Sequence, residues 1–144
     1  MRKAHRQLIH QLGSLLRPKP RLNIWQWAEK SRFLAKGVSE ASAHGPAPYS
    51  TALAPHQRGV QEAFTDPKVQ MVVFIGASQI AGKTELMSNV IGFHMEHNPT
   101  NIVIMYPTIE TAEKYSKKKL SPMIEATPVL SGICLLYTSD AADE

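Results

Sequence analysis

The stretch "FIGASQIAGKTE", residues 74–85, holds the residue types that a triphosphate group needs. A glycine-permitted turn lets successive backbone N–H groups point at phosphate oxygens, a lysine reaches the outer phosphates, and a hydroxyl can join the shell of a Mg²⁺ ion. Gly82, Lys83 and Thr84 supply that ending, directly after an apolar run and before a helical pattern. A helix starting there adds partial positive charge at its N-terminus. The spacing departs from the common pattern, which has four residues between its glycines; Gly76 and Gly82 are separated by the five residues 77–81. Counting back from Lys83, Ala77 stands where the first glycine belongs. Either Ala77 takes an ordinary backbone conformation there, or Gly76 provides the flexibility and the loop is one residue longer. Both readings keep an anion cradle of Gly76, Ala77, Ser78, Gln79, Ala81 and Gly82, with Lys83 and Thr84 closing it. A glycine-containing turn with an incidental lysine is the bland alternative.

The elements that must position this loop can be read around it. Residues 69–75, "VQMVVFI", form a short apolar run rich in branched side chains, as expected for a strand covered on both faces. Residues 83–97 repeat Leu86, Val90, Phe93 and His97 on a helical period, and residues 101–106, "NIVIMY", are a second buried-type strand. Strand, loop, helix and strand make a βαβ unit. A further helix is expected over residues 109–125, with Ala112, Tyr115 and Leu120 facing the sheet and Lys114 and Lys117 to Lys119 facing water. Ahead of the loop, residues 23–34 place Trp25, Ala28 and Phe33 near helical spacing. Residues 36–55 are rich in Gly, Pro, Ser and Ala and read as an irregular connection. Residues 56–66 suggest another helix, with Val60, Ala63 and Phe64 on one side, stopped by Asp66-Pro67. The fold class is therefore α/β: a parallel sheet flanked by helices, of which the chain holds an incomplete N-terminal part.

The 144 residues, 43% apolar and 19% charged, suit about one domain. The net charge is +4, and Arg2, Lys3, Arg6, Arg17, Lys19 and Arg21 all precede the first acid, Glu29. A basic arm of this kind suits nucleic acid or an acidic partner, against the plainer reading of a solvated terminus. Residues 2–21 are expected to serve docking more than fold stability. No stretch approaches the roughly 20 apolar residues of a membrane span, and the start lacks the pattern of a secretory signal. The single Cys134 excludes an internal disulfide framework and a multi-cysteine metal cluster. The tail "CLLYTSDAADE", residues 134–144, looks like the translation of library-adaptor DNA rather than native protein. Setting aside its three acids, Asp140, Asp143 and Glu144, raises the charge from +4 to +7. The reading divides the chain into a basic arm (1–22), a helical and irregular lead-in (23–68), a partial ATPase core (69–133) and the adaptor-derived tail (134–144).

Three ordered blocks resemble phage terminase large subunits of the lambda-like GpA type. The loop "ASQIAGKTE" has that family's Gln shortly before GKT and its Glu after; "APHQRGVQEAFTDPKVQMVVF" resembles its segment with Pro and Gln before the first strand; "YPTIETAEKYSKKKLSPMIEATPVL" resembles the stretch after the second. Together they lie within residues 25–130. The resemblance implies the P-loop ATPase part of a motor that packages viral DNA into a preformed capsid, joined in the full-length protein to an endonuclease. It implies ATP and Mg²⁺ as cofactors, with Lys83 and Thr84 on the phosphates, Thr84 on Mg²⁺, Gln79 near the γ phosphate and Gln57 as an adenine contact. The partners implied are double-stranded DNA, the terminase small subunit and the capsid portal, in a homo-oligomer within the host cytoplasm and away from membrane. Two departures stand out. No arginine lies between Gly76 and Lys83, where some terminases carry one. The acidic strand end that completes Mg²⁺ binding, the coupling segment and the nuclease all fall outside the sequence, so the catalytic residues are unassigned and the chain alone is expected to be inactive.

Other residues carry less. His94 and His97 sit three apart in "HMEH" without a third metal ligand in view. Lys117 to Lys119 suit either DNA phosphates or a solvated face, and Glu85 suits a helix-start acid or a structural hydrogen-bond partner better than a base. A helicase-like ATPase, and a DNA- or protein-binding module with a vestigial loop, are the alternative functions.

Overall fold

The computed structural model describes residues 19–77 and 82–133. The chain enters at helix α1 (Ile24–Ser31), whose Ile24, Trp27 and Ala28 recur at helical spacing and are buried. Asn23 starts it, its backbone N–H donating to Gln26 Oε1 at 2.9 Å. The inward tryptophan is Trp27, not Trp25. The expected set of Trp25, Ala28 and Phe33 misplaces the face, because the helix ends at Ser31 and Phe33 already belongs to a strand. Trp25 lies on the rim, with its Nε1 donating to Glu62 at 2.9 Å and the Arg58 guanidinium over its ring.

Strands β1 (Phe33–Leu34) and β2 (Ala47–Pro48) pair antiparallel, Phe33 with Pro48 and Leu34 with Ala47. The Tyr49 N–H adds a bond to the Arg32 carbonyl at 3.0 Å. The connection from 35 to 46 is irregular, as its composition indicates, but its ends form this small ladder. Helix α2 (Gln57–Ala63) follows and buries Gln57 and Gln61. Apolar periodicity pointed instead at Val60, Ala63 and Phe64, which are only half-buried.

Helix α3 (Lys83–Glu96) is the central element: residues Leu86, Ser88, Asn89, Val90, Ile91, Gly92 and Phe93 are all buried. Trp27 meets Phe93 edge-on, with centroids 6.3 Å apart, and lies so close to Gly92 that a Cβ there would meet the indole ring and, at 3.2 Å, Leu130 Cδ1. A glycine in mid-helix is otherwise unfavourable, so its use here is steric. Ile24, Trp27, Leu34, Val90, Phe93 and Leu130 are central to the apolar core.

Residues 109–126 are helical, as expected, but in three parts: α4 (Ile109–Tyr115), a π-helical turn (Ser116–Leu120) and α5 (Ser121–Ala126). In a regular α-helix, positions five apart diverge by about 140°. The wider turn instead lets both Tyr115 and Leu120 pack against the core. Lys114 and Lys117 to Lys119 are exposed.

The two expected strands differ from the sequence reading. Residues 69–77 and 101–106 form no strand ladder, and the sheet found among the described residues is the two-stranded β1–β2 pair. Both stretches alternate along their outer parts: Val72, Phe74, Ile104 and Tyr106 are half-buried, while Met71 (80%), Ile75 (92%), Val103 (84%) and Met105 (88%) are exposed. An extended segment becomes a strand only when a neighbour supplies backbone partners, and none of the described residues does so here. No helix among the described residues is long and apolar enough to cross a membrane.

Two outcomes test this packing. Gly92→Ala gains about 1 kcal/mol of helix propensity but overpacks the Trp27 contact at a cost of about 1–3 kcal/mol. The expected sum is a destabilisation, read as a lower denaturant midpoint. Glu96, at the end of α3, accepts from Lys19 Nζ (2.8 Å) and Trp27 Nε1 (2.9 Å). Burial pushes its carboxyl upward, but these hydrogen bonds and the positive Lys19 and His97 outweigh that and hold it below the usual glutamate range. A lowered folded-state value contributes stability above the ordinary range that is lost as pH falls through the lowered one. Thermal melts should therefore show a steeper acid decline for wild type than for Glu96→Gln, with the variant less stable at neutral pH by about 1 kcal/mol.

Candidate functional site: the loop at the start of α3

The loop's ending is built by Gly82. It precedes α3 with φ 59° and ψ 30°, a left-handed conformation that L side chains rarely adopt. Its carbonyl accepts from Leu86 N at 3.0 Å, beginning the helix, and also from the Gln57 side-chain amide at 3.1 Å. Gln57 is 1% exposed, and a Cβ on residue 82 would run into its Nε2. Helix α2 thus backs the turn, which is where the structure places Gln57.

Lys83 is exposed, and its ammonium donates to the carbonyls of Gly76 (3.0 Å) and Ala77 (2.8 Å). The cation therefore sits across the mouth of the loop, and a phosphate would compete with two neutral acceptors for it. Thr84 is half-buried in the first turn, its carbonyl taking a bond from Ser88 Oγ at 2.9 Å. Gly76, Ala77, Gln57, Gly82, Lys83 and Thr84 are thus brought together. Ser78, Gln79 and Ala81 lie outside the described residues.

Beside the loop is an open cleft of about 410 Å³, lined among others by Lys83, Thr84, Tyr106, Tyr115, Lys118 and Lys119. The two tyrosine rings are 5.2 Å apart. Burial pushes the Tyr106 phenol up; Tyr115 is likewise raised, chiefly by burial and further by Tyr106 and Glu85, with Ser88 and Arg32 opposing. Both are neutral hydroxyls near pH 7. The cleft combines a concentration of positive charge with weakly acidic donors, a setting suited to an anion.

A buried polar layer that periodicity did not reveal supports the first turn of α3. Arg32, 2% exposed, sends Nη2 to the Glu85 carboxylate and Nη1 to Asn89 Oδ1 and, at 3.3 Å, to the Glu85 carbonyl. Asn89 donates in turn to Gln61 Oε1 at 3.2 Å. Glu85 is therefore a structural acceptor. The histidines pack around Phe93, His94 at 5.2 Å and His97 at 5.1 Å between ring centroids. No group of three or more His, Cys, Asp or Glu that could hold a metal occurs among the described residues.

Gly82 in a left-handed conformation, the Lys83 ammonium on the Gly76 and Ala77 carbonyls and the N-terminus of α3 thus lie together at one end of the helix. The sequence model of "Phage terminase large subunit gpA, ATPase domain" matches residues 43–143, and the chain belongs to that family. It is 27% identical over 126 residues to the "Terminase, large subunit" of Escherichia phage lambda, covering 88% of this chain and 18% of that protein. It is 29% identical over 119 residues to the "Terminase, large subunit" of Enterobacteria phage P21, covering 83% and 17%. The chain thus spans less than a fifth of the length of these relatives. No solved structure gives a significant match.

Gly82→Ala should lower stability by about 1–2 kcal/mol from backbone strain alone, with a further loss from displacing the Gln57 amide. In a Gln57→Ala background the penalty should shrink but persist, a double-mutant cycle that separates the two causes.

Proposed function

We propose that the chain is the nucleotide-binding part of an ATP-driven motor that packages viral DNA, with Lys83 and Thr84 on the phosphates of ATP. The supporting observation is the placement of Lys83: an exposed ammonium at the mouth of a loop whose last residue, Gly82, opens α3 in a left-handed conformation. Membership of the terminase ATPase family favours this over a helicase-like ATPase. The backbone N–H groups of residues 83 and 84 head α3 and are without intrahelical acceptors by position, so they suit phosphate oxygens. The residues present also fit Mg²⁺ in part. Thr84 supplies one hydroxyl next to the lysine, and hydroxyl and phosphate oxygens are the hard donors this ion takes. When bound, the ion would neutralise charge on the phosphates. Gln57, fixed against Gly82, would hold the turn on the side expected to face the adenine.

In this reading residues 69–77 and 101–106 are parallel strands whose ladder is completed by further strands of the whole protein, which accounts for their exposed apolar faces. The acid that orients water would come from such a strand, so this chain binds nucleotide better than it hydrolyses it. The packaging activity, the endonuclease, and the partners (double-stranded DNA, a small subunit, a portal and further copies of the motor) belong to the whole protein in the host cell. The basic residues before Glu29 are a docking arm, of which Lys19 is tied to Glu96.

Titration of the chain with Mg·ATP tests the assignment. Lys83→Ala should weaken binding at least tenfold, about 1.4 kcal/mol, without lowering the melting temperature, since the lysine is exposed. Equal affinity for the variant would remove the site from residues 83 and 84, and absence of binding by wild type would favour the vestigial-loop alternative.

A further inference from the structure

Arg32 lies 53 positions before Glu85, yet its guanidinium is buried against the first turn of α3. A buried guanidinium is costly unless its charge and hydrogen bonds are matched. The match here is uneven: Nη1 and Nη2 are satisfied by Glu85 and Asn89, whereas Nε finds no acceptor. The group is oriented by its partners and by Tyr49, whose ring lies 5.3 Å below it. Its backbone is fixed as well, with N–H to the Ala28 carbonyl at 3.0 Å and the carbonyl receiving Tyr49 N–H at 3.0 Å. Arg32 is therefore a rigid post standing between the β1–β2 ladder and α3.

What it holds is an acid in an awkward place. Glu85 is the residue after Thr84 and the second after Lys83. A carboxylate in the first helical turn is stabilised by the helix dipole, but the same positive end is what would attract phosphate. An unpaired Glu85 would compete with the ligand for that field and repel its charge. With the Arg32 guanidinium on its carboxylate, Glu85 contributes no net charge, and Lys83 is left as the uncompensated ion of the turn.

We infer that Arg32 is a positioning residue for nucleotide binding: by neutralising and turning aside Glu85, it keeps the first turn of α3 attractive to the triphosphate. This rests on the reading of Lys83 and Thr84 as the phosphate site. Removing the arginine sets the acid free, and removing the acid as well restores the field.

The test is Mg·ATP affinity of the 144-residue chain and its variants, with a thermal melt of each. Arg32→Met should weaken binding about tenfold, the scale of one added charge about 12 Å from a phosphate charge at an effective dielectric near 20. The double variant Arg32→Met, Glu85→Gln should return to within about threefold of wild type on the same electrostatic scale. Glu85→Gln alone keeps the test decisive if Arg32→Met fails to fold: the electrostatic role predicts affinity equal to or tighter than wild type, with a steeper loss on adding salt, whereas a purely structural pair predicts weaker binding. Weaker binding by Glu85→Gln, or a double variant no better than Arg32→Met, overturns the inference. Failure of the underlying site looks different: wild type then does not bind Mg·ATP, or Lys83→Ala binds as wild type does.

Discussion

The contact on which the structure depends is Trp27 against Gly92. Helix α3 can fix the turn at its start only if its body is held still, and most of that holding comes from α1 lying directly on it. The absence of a side chain at 92 lets the indole descend to the α3 backbone, where it reaches Phe93 by its edge and Glu96 by its Nε1. That one aromatic residue therefore anchors apolar packing and a charged hydrogen bond together. Leu130, also against Gly92, closes the other side.

From this apolar anchor toward the loop, the interface changes character. Gln61, Asn89, Arg32 and then Gln57 replace leucine and valine, and the last of these ends on the Gly82 carbonyl. Apolar contact is tolerant of small slides, whereas hydrogen bonds with two or three partners fix both distance and angle. The layer nearest the Gly82 turn is thus the one with least freedom to slip. Buried polar side chains are costly unless matched, and their concentration at this end of α3 is consistent with a demand for position rather than for stability.

Much of the loop's setting was legible in the sequence. The helix from Lys83, its buried Leu86, Val90 and Phe93, and the need for glycine at 82 all follow from local rules: periodicity, and a backbone conformation that other residues resist. Gln57 was singled out by resemblance, and its position against Gly82 gives it a physical role beside the proposed one. Arg32 was not legible, because its burial depends on residues 53 and 57 positions away and no local pattern announces a buried cation. Trp25 and Trp27 were confused because a helix of eight residues offers too few turns for its inner face to be fixed by spacing alone. The β1–β2 ladder was invisible for a similar reason: two-residue strands in a Gly- and Pro-rich stretch have no period. Residues 69–75 and 101–106 have the composition of covered strands, and composition reports the environment of a complete sheet. What the structure shows is those sequences with the ladder partners missing from the described residues.

One irregularity of the helix over residues 109–126 is visible in the sequence itself. The apolar positions 112, 115 and 120 step by three and then by five, and no regular helix keeps a five-residue step on one side. The π-helical turn from Ser116 to Leu120 resolves the conflict by widening the helix at the point of conflict, with Ser121 Oγ returning to the Ser116 carbonyl at 3.1 Å. Three successive lysines occupy that turn. Tyr115 and Leu120 are held on the core, and Lys118 and Lys119 project beside Lys83 and Thr84. Lys114 and Lys117 are already engaged by Glu110 and Glu113 one turn away. Of the lysines in this helical stretch that line the cleft, Lys114 is thus matched by a local acid while Lys118 and Lys119 carry their charge to it, so that the positive charge beside the loop is set by the packing of Tyr115 and Leu120 as much as by the number of lysines.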